Sequence, residues 1–170
     1  MVGAGPNGLA AAIHLARARL RVLVMEANPE VGGGARSAEL TLPGFIHDVC
    51  SAIHPLAIAS PFFSKMPLSD HGLEWVQPEI PLAHPLDDGS AAVLMRSVRE
   101  TSDRLGTDGP AYHRLMQPLV DHAEALAEDF LGPLLHWPRH PLVLARFGLR
   151  GLRSASSVAR ISFKEQPARA

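Results

Sequence analysis

The 170-residue sequence holds a single cysteine, Cys50, so no intrachain disulfide framework is available to it. Aromatic residues make up 5% of the chain, too few for a base-stacking surface, and the net charge of −1 gives no overall attraction for nucleic acid. No apolar run approaches the ~18 residues that span a bilayer as a helix. The N-terminus lacks the charged region and cleavage site of a signal peptide, so the default expectation is a cytoplasmic protein. What remains is ordinary globular composition, 46% hydrophobic and 19% charged.

Glycine is where the sequence becomes specific. Gly3-x-Gly5-x-x-Gly8 opens the chain and leads into a small-residue helix with Leu9, Ile13, Ala16 and Leu20 on one face. The run Val22-Leu23-Val24-Met25 then reads as a parallel strand buried on both faces, ending in Glu26. This pattern suits a phosphate-bearing dinucleotide. Gly3 permits a tight turn, Gly5 lets backbone approach a pyrophosphate, and Gly8 lets the helix pack closely. The helix N-terminus offers free N–H groups to the phosphates, and Glu26 is placed to accept hydrogen bonds from a ribose. The bland alternative is a βαβ unit whose glycines merely turn the chain. A second cluster, Gly32-Gly33-Gly34, would bring another backbone segment to the same pyrophosphate. Arg36 behind it is either a phosphate partner or a solvated loop cation. Arg19 stands where the helix-to-strand turn favours glycine, so a left-handed conformation there would cost roughly 1 kcal/mol.

These residues also carry a family likeness. Glu26-x5-Gly32-Gly33, the pair Arg36-Ser37 and the run Leu42-Pro43-Gly44-Phe45 resemble the N-terminal FAD-binding segment of phytoene desaturase-like NAD(P)/FAD-dependent oxidoreductases, within the amine-oxidase-like flavoprotein class. The likeness is dense over 2–63 and looser beyond. It implies an α/β fold: a Rossmann-like, three-layer FAD-binding domain, with the start of a mixed α+β substrate domain. It also implies FAD contacts at Gly3, Gly5, Gly8, Glu26, Gly33 and Arg36, and a site lined by His47, Asp48, Ser51 and His54. These four read equally well as turn and strand polars. The implied activity is hydride transfer between a C–H bond of an apolar, polyene- or isoprenoid-like substrate and flavin. No catalytic residue is assignable. Two departures from the family pattern, the short Met1-Val2 lead-in and the modest length, lead us to expect an N-terminal fragment with an incomplete first strand, inactive alone. The expected division is 1–70 for the nucleotide segment and 71–170 for the partial substrate domain.

Other readings stay open. An NAD-dependent dehydrogenase shares the opening motif, although Glu26 would repel the 2′-phosphate of NADP. A non-catalytic remnant without cofactor is a third reading.

Further along, Pro55–Phe63 reads as a short helix and Ser64–Gly72 as a loop. Leu73–Val76, Pro81–Leu86 and Ala91–Met95 read as three strands of a small antiparallel sheet, with Asp87-Asp88-Gly89-Ser90 as a turn and not an acid/base pair. Ser97-x-x-Glu100 is a capping box for a helix to Leu105, stopped by Gly106. A longer helix is predicted over Ala111–Leu131, kinked or split by Pro118 and ended by Gly132-Pro133, with Leu115, Leu119, His122, Leu126 and Phe130 on one face. The last segment, His136–Ala170, is helical in pattern and cationic: Arg139, Arg146, Arg150, Arg153, Arg160, Lys164 and Arg169 face one acid, Glu165. Such a helix suits either the surface of an anionic membrane or plain solvation. Nine histidines prompt a metal search, but His136 and His140 are separated by prolines, and His47 and His54 lack partners at ligand spacing, so no metal site is expected. Cys50 reads as a small buried residue.

Overall fold

The computed structural model describes residues 1–132 and 137–170. The chain forms two compact units, Met1–Leu68 and Ser69–Ala170, and mixes helices with small sheets. Among the described residues no helix is long and apolar enough to cross a membrane.

In the first unit, helix α1 spans Pro6–Arg17, with proline in its first turn, where the missing N–H costs nothing. It ends as the turn chemistry foretold. Arg19 adopts φ +61°, the Arg19 N–H donates to the Ala16 carbonyl at 2.9 Å, and the Leu20 N–H donates to the Leu15 carbonyl at 3.2 Å. This is a Schellman closure with arginine where glycine is favoured. The chain then returns to pair with its own start through one parallel bridge, Val2 with Met25. Strands β1 (Ser37–Glu39) and β2 (Ile46–Asp48) form an antiparallel hairpin with Ala38 opposite His47. Leu42-Pro43-Gly44-Phe45 lies in its connection, where the Phe45 N–H reaches the Leu42 carbonyl at 3.1 Å and Gly44 supplies φ +82°. The short helix α2 covers Pro55–Ala59, ending before the expected Phe63, and a 3₁₀ turn at Phe63–Lys65 runs into the segment expected to be loop.

The expected three layers are not formed by the described residues. Among the described residues Val22–Met25 pairs only with the short Met1–Gly3 segment, the Met1 ammonium donating to the Leu23 carbonyl at 2.8 Å, and Leu23 stays 71% exposed. Among the described residues no further strand pairs with that run, so an apolar pattern suited to two-sided burial stays open at Leu23 and Met25. Likewise α1 buries Ala12, while Ala16 and Leu20 at the end of the expected apolar face are exposed.

In the second unit, β3 (Leu82–Pro85) and β4 (Ala91–Leu94) pair antiparallel. The Asp88 carboxylate closes their turn by accepting the Ser90 N–H at 2.9 Å and hydroxyl at 2.6 Å, which also holds its pKa below the usual range. Leu73–Val76 forms no strand: it is exposed and pairs with no strand among the described residues, because alternating apolar residues specify a willingness to pair but supply no partner. Helix α3 (Val98–Arg104) is capped as expected, the Ser97 hydroxyl accepting the Glu100 N–H at 3.3 Å. The predicted long helix is two, α4 (Gly109–Asp121) and α5 (Ala123–Phe130). Pro118 lies inside α4 and the break falls at His122, so the proline is tolerated and does not set the split. His122 and Phe130, expected on the inner face, are exposed, and Pro133 of the expected stop lies outside the described residues.

Three helices complete the unit: α6 (Pro141–Gly151), α7 (Ala155–Ser162) and α8 (Gln166–Arg169). The core gathers Met95, Leu105, Phe163 and Thr101, whose hydroxyl accepts the Met95 N–H at 3.0 Å. Two buried carboxylates hold the backbone that leads into helices. Asp129 accepts the Arg139 and His140 N–H groups at 2.8 and 3.2 Å, ahead of α6. Asp108 accepts the Lys164 and Glu165 N–H groups, ahead of α8.

Candidate dinucleotide site

The opening turn is built by backbone pairing. The Met25 N–H donates to the Met1 carbonyl at 3.0 Å, and the Gly3 N–H donates to the Met25 carbonyl at 2.8 Å. Gly3 then turns at φ +92°, a conformation that favours glycine. At Gly8 the reason is space: a Cβ there would run into the Gly3 carbonyl oxygen. Helix and turn therefore close on each other to a degree no side chain permits.

The second glycine cluster docks onto this turn. The Gly32 N–H donates to the Ala4 carbonyl at 2.9 Å. Gly33, at φ +56°, lies so near that a Cβ on it would stand 3.1 Å from the Gly5 Cα. A Cβ on Gly5 would meet only the Gly33 Cα, at 3.8 Å, so the bareness of Gly5 leaves open room beside the turn. Gly5 is the N-cap of α1 with no side-chain cap, and the first turn carries no acid. No acid of the helix itself offsets its positive end; the Glu26 carboxylate stands just ahead of it, on the Ala4 N–H. The close backbone and the uncapped start of α1 fit a pyrophosphate.

Glu26 reaches the same turn. One carboxylate oxygen accepts the Ala4 N–H at 2.7 Å; the other accepts the Asn28 N–H at 3.0 Å and its side-chain amide at 2.9 Å. The Ala4 N–H, followed by the two Asn28 donors, brings the Glu26 pKa down to about 2. The group is a fixed anion held by hydrogen bonds and not by an ion pair. These bonds use three of the roughly four lone-pair sites of a carboxylate.

Arg36 follows the Gly33–Ala35 turn and is half-buried, with no carboxylate in ion-pair range among the described residues. The hairpin extends from it: the Val49 N–H donates to the Arg36 carbonyl and the Ser51 N–H to the Gly34 carbonyl, both at 3.1 Å. Ser51 is thereby brought to the second glycine cluster, and its hydroxyl lies 3.4 Å from His54 Nδ1. His47 and Asp48 are engaged elsewhere, with Thr41 at 2.7 Å and Ser37 at 2.9 Å. Cys50 is exposed, contrary to expectation, because the neighbour it faces is Gly34, which has no side chain to cover it.

Asn28 escaped the sequence reading. Its signal is the spacing Glu26-x-Asn28, which lets a short amide fold back on the preceding acid. Among the described residues no three His, Cys, Asp or Glu side chains gather as metal ligands. His136 lies outside the described residues; His140 precedes α6, 3.8 Å from the Glu128 carboxylate. A cleft of about 1000 Å³ in the second unit is open and lined by charges of both signs, among them Glu79, Arg96, Glu100 and Arg104.

Residues 1–63 match the family of NAD(P)-binding Rossmann-like domains. The chain is also similar to a limonene dehydrogenase polypeptide of Castellaniella defragrans, 23% identical over 133 residues, which is 78% of this chain and 24% of that protein. It therefore spans about a quarter of the length of the curated relative it matches. No solved structure matches the chain. These comparisons support a dinucleotide cofactor and a general oxidoreductase character.

Proposed function

We propose that the Met1–Leu68 unit holds the adenine dinucleotide of an FAD-dependent oxidoreductase, as its phytoene desaturase-like features suggest. The observation that carries this reading is the seating of Gly33 on Gly5, so close that a Cβ added to Gly33 would stand only 3.1 Å from the Gly5 Cα. A dinucleotide gripped by one glycine turn needs a single such segment; two abutting bare segments favour a ligand held from both sides of its pyrophosphate. Gly3, Gly5, Gly8, Gly33 and Arg36 would hold the phosphates, and Glu26 the adenosine ribose. When bound, the flavin supplies the hydride chemistry, while the protein supplies position and exclusion of water. The relative named for limonene dehydrogenation supports an apolar isoprenoid substrate.

One observation favours a second reading, NAD as the dinucleotide: the matching family is described as NAD(P)-binding. Equilibrium titration of the protein with FAD and with NAD⁺ separates the two. Saturable FAD binding at least tenfold tighter than NAD⁺ is the expected result. Tighter NAD⁺ binding overturns the flavin assignment, and binding of neither favours a remnant without cofactor.

A further inference from the structure

We propose that α6 of the second unit is a docking surface for an anionic membrane, lying in the plane of the headgroups. Helix α6 has two unlike sides. Val143, Leu144 and Phe147 are half-buried, and the Phe147 ring meets Phe130 of α5 edge-to-face, 5.2 Å between centroids. On the other side Leu142 is 85% exposed and Leu149 75%, and Leu152 just past the helix end is 91% exposed. Arg153 is exposed alongside them, and Arg146 and Arg150 are exposed at the margin of this side, where α6 meets Pro118 and Leu119 of α4. From 137 to 164 the sequence contains no Asp or Glu, so no acid of the segment neutralises these cations. Trp137, a residue suited to the membrane–water boundary, is exposed just ahead of the helix.

The occupant follows from the mixture. Plain solvation explains the arginines but not three bare leucines among them. An acidic protein groove would explain both, but it requires matched shape as well as charge. An anionic bilayer requires only what the helix displays: apolar side chains that sink to the acyl boundary and cations that reach outward to lipid phosphates. The two terms reinforce each other, because each leucine buried brings its neighbouring arginine within the Debye layer of the surface.

The test is co-sedimentation of the full 170-residue chain with phosphatidylcholine vesicles, neutral or containing about 30 mol% phosphatidylglycerol. In a Trp75→Phe background the emission of Trp137 reports insertion. Binding to the anionic vesicles is expected to be at least tenfold tighter than to neutral ones, with a blue shift of Trp137. The triple change Arg146→Gln, Arg150→Gln, Arg153→Gln is expected to weaken it about fivefold per arginine, on the order of 100-fold in all. Leu142→Ser, Leu149→Ser, Leu152→Ser is expected to weaken it at least tenfold. All six positions are exposed, and far-UV circular dichroism checks that the helices persist. Equal affinity for both vesicle types, or unchanged binding in either triple variant, overturns the proposal. Absent vesicle binding overturns it too; if polyglutamate then binds through the same arginines, the face is a protein-docking surface instead.

Discussion

The Glu26 carboxylate accepts the N–H of Ala4, 22 residues earlier in the chain, at 2.7 Å, and so pins the end of the apolar run Val22–Met25 to the glycine turn. Asn28 holds the second oxygen, and the three donors together keep the group ionised down to about pH 2. The folded pKa lies below the ordinary 4.5, so the stabilisation is fully present above pH 4.5 and is lost as pH falls through about 2. Carbon-detected NMR titration of the Glu26 side chain should give a midpoint near 2. Asn28→Ala should move that midpoint part of the way toward 4.5. A midpoint unaffected by the substitution would remove Asn28 from the account.

Arg19 closes α1 at φ +61°, where a Cβ crowds the following carbonyl. Arg19→Gly should therefore stabilise the first unit by about 0.5–1 kcal/mol, the relief of strain exceeding the added freedom of the unfolded glycine. Urea unfolding measures this as a rise in midpoint at constant slope. A fall would mean that contacts of the arginine side chain outweigh its backbone strain.

Asp108 is buried and receives the N–H groups of Lys164 and Glu165 at 2.7–3.0 Å, joining two segments distant in sequence. The Glu165 N–H is the largest cause of its lowered pKa. Stability from this contact is present above the ordinary value of 3.8 and disappears as pH falls through the lower folded value. Asp108→Asn should lower the thermal midpoint by several degrees at pH 7, and the gap from the native chain should close on acidification. A gap that persists undiminished at low pH would show that charge is not what the site uses.

These cases show where the sequence was readable. Arg19, the Ser97 cap and the Asp88-Gly89-Ser90 turn were legible because each is decided within a few residues by backbone sterics or one short side chain. The Gly3-Gly5-Gly8 turn was legible for the same reason. Burial was not, since it depends on what comes to lie alongside. Val22–Met25 has the composition of a doubly covered strand, yet Leu23 is exposed; Leu73–Val76 has strand character and no partner. Cys50 is exposed because its neighbour is a glycine 16 positions away, a pairing set by hairpin register. Asn28 was missed because its role exists only once Glu26 has turned back to Ala4.

The claim on which the rest depends is that the bare space at Gly5, faced by the start of α1, receives the pyrophosphate of FAD. Titration of flavin fluorescence with the native chain and with Gly5→Ala tests it most directly, because in the folded chain a Cβ at Gly5 makes only ordinary contact with Gly33 and so meets the ligand before it disturbs the turn. The account expects saturable quenching with the native chain and at least tenfold weaker binding in the variant, with helix content unchanged. Equal binding by the two proteins would contradict it.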